Sequence, residues 1–214
     1  MKLTSKAQKI HEQISAEGAK LGDLRKIAKE IKKDHDLAME FWSTGGYMPR
    51  QLAILIMDRK QIGQDLVEEL FADMEKHPYS ERNQLADWLM ANQLSKDKAL
   101  ISMILGWENS PMALQRRIYW YYQARLRWTG KTPIDNAELL LSAIEERMAK
   151  EEPEVQWAMN FTAAWIGIHE EEQRSRCITL GEQIGLYKEE KAPKGCTPNY
   201  LPEFIRIETE KLNK

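Results

Sequence analysis

Cysteine is scarce in this chain of 214 residues, with Cys177 and Cys196 the whole complement, so neither a disulfide-stapled scaffold nor an all-cysteine zinc site can be built. Proline and glycine are modest, at 8 and 11 residues, which excludes collagen-like and low-complexity chains. Long apolar runs are missing too. The longest, Leu52 to Met57 and Ala99 to Leu105, fall far short of the roughly 20 residues that span a bilayer. The N-terminal stretch MKLTSKAQKIHEQISAEGAK has no apolar core of signal-peptide type, so the chain is expected in the cytoplasm with both thiols reduced. Neither sign of charge prevails: 31 Lys and Arg against 33 Asp and Glu give a net charge of -2. A generally basic nucleic-acid binder is thereby excluded, and any contact with phosphate must use a local patch. Phosphate-binding glycine loops, dinucleotide fingerprints and nucleophile elbows are also absent. His11, His35, His77 and His169 stand singly, so no metal and no cofactor is expected.

What remains is helical. Seven Trp and ten Met sit among Ala, Leu, Glu, Lys and Gln, and β-branched runs are almost lacking. Apolar residues at spacings of three and four predict helices on both sides of a break near Gly18 to Gly22, with Asp23 as a cap. Further helices are predicted over 36–42, 49–57, 61–74, 79–92, 96–105, 112–128, 136–149, 153–168 and 171–184. In the tail, prolines disfavour helix until about Glu203, which predicts an extended strap from residue 191 and one last helix. Turn signals at Gly45-Gly46, His77-Pro78, Ser110-Pro111, Thr132-Pro133 and Glu152-Pro153 recur at intervals of roughly 20 to 35 residues, near one helix pair each. The expected fold is therefore all-α, a curved solenoid of antiparallel helix pairs forming a single domain over 1–214, with a plain helical bundle as the alternative.

Charge is unevenly spread. Residues 135–214 carry 10 basic and 16 acidic groups, whereas 109–134 carry no acid at all. That acid-free stretch holds Arg116, Arg117, Arg125, Arg127 and Lys131 together with Tyr119, Trp120, Tyr121, Tyr122 and Trp128. Helical spacing places Arg116, Trp120, Gln123 and Arg127 on one face, with Leu114, Ile118 and Tyr122 turned inward. Guanidinium forks suit phosphate and ring faces suit bases or sugars, so an exposed arginine and aromatic surface would suit nucleic acid. The alternative is a core of aromatics with arginines stacked over them. A second basic run, Arg25, Lys26, Lys29, Lys32 and Lys33, reads as a solvated helix face. Among the carboxylates, Asp87 in SERNQLADWLMANQ shares a helix face with Asn83, Met90 and Ala91, beside an inward stripe of Leu85, Trp88, Leu89 and Asn92.

With these pieces in order, the chain resembles the AlkD-type DNA alkylation repair family, the HEAT-like repeat alkylpurine DNA glycosylases. LGDLRKIAKEIKKDHDLAMEFW and YMPRQLAILIMD resemble that family's early segments, and NQLADWLMANQL its stretch with the catalytic aspartate. WENSPMALQRRIYW is similar to the stretch with an essential arginine, EVQWAMNFTAAWIG to the one with a second groove aromatic, and KGCTPNYLPEFI to a tail found in many relatives. The resemblance implies a HEAT-like superhelix whose concave groove binds duplex DNA, working as a monomer and hydrolysing the N-glycosidic bond of 3-methyladenine and 7-methylguanine. By the same resemblance Asp87 takes the catalytic carboxylate position, Arg117 or Arg116 the arginine position and Phe161 the aromatic position. Arg116, Trp120, Arg125, Arg127, Lys131 and Asn83 are then the DNA contacts. Asn83 and Gln84 stand where the family has Trp and a carboxylate. A binder of unusual or branched DNA without excision, or a helical-repeat scaffold for a protein partner, are the alternatives.

Overall fold

The computed structural model describes residues 3–15, 19–130 and 135–212. Gly18, Lys131 and the expected Thr132-Pro133 turn lie outside them. The described residues form helices and turns with no strand. Backbone contacts group the chain into two compact units, Met1–Leu105 and Gly106–Lys214.

The first unit holds α1 (Ser5–Ser15), α2 (Leu21–Ile31), α3 (His35–Ser43), α4 (Tyr47–Ile56), α5 (Gln64–Met74), α6 (Tyr79–Asn92) and α7 (Lys98–Leu105). Local chemistry sets their ends. Asp23 sits at the third helical position of α2 and accepts the Lys20 backbone N–H at 3.2 Å. It therefore caps from inside the first turn. Asp34 is the N-cap of α3, accepting from Leu37 N at 3.1 Å. The predicted helix from 61 begins only at Gln64, because Arg59–Gln61 close a 3-10 turn and Ile62 and Gly63 are extended. The predicted start at Lys96 likewise moves to Lys98, where Asp97 accepts from Ala99 N at 2.9 Å.

Helices α2, α4 and α6 lie side by side in that order. Trp88 Nε1 donates to Gln51 O at 3.2 Å and, further along both helices, Gln93 Nε2 donates to Ile54 O at 2.6 Å. Residue numbers rise together on α4 and α6, so these two run parallel. The turns that follow α2, α4 and α6 line one common cavity, so all three helices end on the same side of the unit.

In the second unit are α8 (Ala113–Trp128), α9 (Ala137–Arg147), α10 (Pro153–His169), α11 (Glu171–Ile184) and α12 (Leu201–Leu212). Pro153 occupies the favoured first position of α10, and α11 stops at Gly185, whose left-handed φ of 68° favours glycine. The tail helix begins at Leu201, two residues before its expected start, with Pro202 in its first turn. Before it, residues 191–200 are turns and coil, tied to α10 by Asn160 Nδ2 donating to Asn199 O at 2.9 Å. Two glycines set how closely these helices pack. A Cβ on Gly167 would lie 2.8 Å from Ile205 Cδ1, and one on Gly181 would lie 2.6 Å from Pro202 Cδ.

Helices α8 and α10 share the most extensive packing in the unit. Arg116, early in α8, binds Glu151 at 3.0 Å and also Glu152, just ahead of α10. Arg127, late in α8, binds Glu170 at 2.6 Å, just past the end of α10. The two helices are thus parallel and clamped at both ends.

Candidate nucleic-acid interface

The clamps revise the expected face of α8. Trp120 is 1% exposed, with Tyr119 edge-on at 5.1 Å and the Arg147 guanidinium 5.8 Å from its ring centre. Its backbone carbonyl accepts the Thr162 hydroxyl of α10 at 2.7 Å. The Arg127 side chain is fully buried, held by Glu170, by Asn136 Oδ1 at 3.1 Å and by Gln123 O at 3.3 Å. Arg116 meets Ser110 O at 2.7 Å besides its two carboxylates. The face of Arg116, Trp120, Gln123 and Arg127 is therefore closed. Carboxylates at the two ends of α10 draw in Arg116 and Arg127, and the Trp120 ring between them is withdrawn from water against Tyr119 and Arg147. Lys131 lies outside the described residues.

The open rings lie on the other flank of the same helix pair. Trp157, Phe161 and Trp165 follow one another at four-residue spacing along α10, each half-buried, and Tyr121 and Trp128 of α8 stand beside them. Phe161 is the hub. Its ring stacks on Trp157 at 4.9 Å and meets Trp128 at 5.4 Å, Tyr121 at 5.8 Å, Trp165 at 6.0 Å and Phe204 of α12 at 5.7 Å. Trp165 continues the row by stacking on His169 at 5.4 Å. Two guanidiniums lie over it, Arg117 at 4.5 Å from the Trp157 ring and Arg125 at 5.6 Å from Trp128. Arg117 is itself buried and donates to Glu154 O at 3.0 Å, so it fixes Trp157 rather than reaching outward. Sequence reasoning chose Phe161, Arg117 and Arg125 but passed over Trp157 and Trp165. The signal was their spacing of four around Phe161, which also describes an ordinary core stripe.

In the first unit, Asp87 lies on α6, partly open to solvent. Gln84, one turn earlier, accepts the Tyr47 hydroxyl, which in turn receives Gln51 Nε2 at 2.8 Å. Burial raises the Tyr47 phenol above its ordinary value, so it stays a neutral donor. Trp88, expected to face inward, is half-buried with the Arg25 guanidinium 5.1 Å from its ring centre. Asn83, expected as a DNA contact, is only 7% exposed, and its Oδ1 is buried without a hydrogen-bond partner. Such burial leaves little of the side chain open to solvent.

No group of three or more His, Cys, Asp or Glu among the described residues could hold a metal, and no described helix is long and apolar enough to cross a membrane. Cys177 is buried and its thiol is pushed up to about 12 by that burial, whereas Cys196 is exposed. A thiol reagent such as Ellman's is therefore expected to titrate one cysteine in the folded protein and a second only in denaturant. Two rapid equivalents without denaturant would contradict the buried placement.

Comparison with known proteins adds two findings. A solved structure described as one of "a new family of proteins related to the HEAT-like repeat DNA glycosylases with affinity for branched DNA structures" superposes with a TM-score of 0.66 at 19% identity, covering 98% of this chain and 88% of that one. That likeness gives the fold, a HEAT-like helical repeat. Curated proteins yield no match. The profile of the family described as DNA alkylation repair enzyme matches residues 2–184, most of the sequence and both units. The chain belongs to the DNA alkylation repair enzyme family.

Proposed function

We propose that the protein binds DNA through the aromatic face of its second unit, and that Asp87 serves hydrolysis of the N-glycosidic bond of alkylated purines such as 3-methyladenine and 7-methylguanine. The row of rings from Trp157 to Trp165, crossed by Arg117 and Arg125, carries this reading. Every base has a π-face, so such a row accepts unstacked bases without regard to sequence, at about 1–3 kcal/mol for each stacked ring. An alkylated purine is cationic and gains about 0.5–2 kcal/mol more over an aromatic face. The same positive charge makes it a good leaving group. Catalysis then asks chiefly for stabilisation of the charge that builds on the deoxyribose, which one carboxylate can supply while a water attacks.

Binding to branched DNA without excision is the second reading. Asn83 favours it: at the position where family glycosylases place a Trp, one turn before Asp87, it is buried and offers no ring face. The affinity for branched DNA named for the solved neighbour points the same way. One experiment separates the two, scoring release of methylated purines from methylated duplex alongside affinity for duplex and four-way junction. Release refutes the second reading; junction affinity with no release refutes the first.

The aromatic face has its own test. Trp165→Leu keeps the apolar bulk and removes a ring stacked on the exposed His169, so DNA affinity is expected to fall by roughly tenfold, about one stacking contact. Unchanged affinity in the folded variant would rule out stacking on this row.

A further inference from the structure

The turns after α2, α4 and α6 enclose a cavity of about 360 Å³ that the aromatic face and Asp87 leave unused. Five cations line it, Lys32, Lys33, Arg59, Lys60 and Lys96, with Asp58 the one carboxylate among its walls. Three separate turns supply them. Positive groups commonly sit at helix C-termini to answer the dipole, and that ordinary role sets a limit on how many are needed. Each helix end carries about half a negative charge. Lys96 has a partner of its own, so three ends and Asp58 set about -2.5 against the four other cations, and about +1.5 stays uncompensated.

The individual side chains agree with that balance. Lys33 pairs with Asp58 at 3.2 Å, while the Lys32 and Lys60 ammonium groups meet no carboxylate among the described residues. Arg59 reaches Asn92 O only at 3.5 Å, and its Nε is buried without a partner. Gln93, 4% exposed, donates its amide to Ile54 O at 2.6 Å and leaves Oε1 unpartnered in the same wall. The buried Arg59 donor left open costs free energy unless an acceptor such as an anion oxygen lies beside it, whereas the Gln93 oxygen, itself an acceptor, would face a lysine or water rather than the anion. Lys32 adds a strained backbone. Its φ of 68° and ψ of -92° lie near the rare γ-turn, a conformation costly for a residue with a Cβ.

We propose that this cavity is an anion site for a phosphate group, held by Lys32, Lys60 and Arg59 with Lys33 and Lys96 around it. The chemistry fits a phosphodiester of DNA, which would deepen the DNA reading by adding a grip on the first unit, and it equally fits the phosphate of a small molecule. Its test uses the full chain carrying Lys32→Gly and Lys60→Gln. Glycine relieves the positive φ as it removes the charge, and Lys60 is exposed, so the fold is expected to persist. Two titrations are run on both proteins, one with inorganic pyrophosphate by calorimetry and one with duplex and four-way junction DNA at several salt concentrations.

If DNA is the source, the slope of log affinity against log salt falls by about two in the variant, one for each lysine lost, and affinity at low salt falls at least tenfold. If a small phosphorylated compound is the source, pyrophosphate binding is lost and the DNA slope does not move. Equal pyrophosphate binding with an equal salt slope in the two proteins would overturn the site. Failure of the DNA reading shows separately, as a wild-type protein that binds no DNA, and leaves the pyrophosphate titration to decide.

Discussion

Asp87→Asn is expected to lower release of 3-methyladenine from methylated duplex DNA about a thousandfold while DNA affinity stays nearly constant. Asparagine keeps the shape and removes the charge. A carboxylate about 4 Å from a developing unit positive charge contributes about 4 kcal/mol at an effective dielectric near 20, and each 1.36 kcal/mol is a factor of ten in rate. The substrate base is already cationic, so little acid assistance remains to mask the loss. Single-turnover rates and a binding isotherm on the same preparation check it. Equal rates in the two proteins would remove Asp87 from the chemistry, and a parallel loss of affinity would make it a binding residue instead.

The largest effect on stability is expected at Arg127. Its fully buried guanidinium bridges Glu170, Asn136 and Gln123 O, so Arg127→Ala leaves three acceptors without this donor and opens a cavity. Breaking one member of a buried pair costs about 3–5 kcal/mol. Glu170 keeps a side-chain exposure of 21%, which water can use, so the lower end applies. A loss of about 3 kcal/mol corresponds to a fall of about 6–12 °C in the melting temperature for a chain of this size. Adding Glu170→Gln should recover part of the loss, because the stranded charge then disappears. A melting point unchanged within error would show that the clamp contributes nothing.

Helix positions were largely legible in the sequence; which flank of a helix faces outward was not. Tyr79–Asn92 and Glu171–Ile184 end where the apolar spacing and turn residues put them. Helix α8 fails that kind of reading because rings and arginines lie all around it, and periodicity cannot tell which of two rich flanks packs on a neighbour. The deciding information sits elsewhere, in Glu151, Glu152 and Glu170, whose carboxylates draw Arg116 and Arg127 inward. Asn83 shows the same limit: its helix carries both polar and apolar neighbours, and only the packing of α6 on the helices around it assigns its side. The basic cavity is harder still. Lys32, Lys60 and Lys96 are separated by about thirty residues each time, and no local window contains their sum. Lys32 and Lys33 read as part of a solvated helix face, yet the helix stops at Ile31 and leaves both on the turn.

The last helix carries a further consequence. Residues 201–212 lie past the end of the family match, yet Phe204 reaches the rings of Phe161 and Trp165 at 5.7 and 6.3 Å. Its seat is close-fitting, since a methyl on Gly181 would run into Pro202 and Leu201, and one on Gly167 would need the end of the Ile205 side chain to move. The tail thus works as a backing plate for the ring row. Any change that lifts it, even a methyl added on the far side of α10 or α11, would loosen the ring row without touching a residue in it.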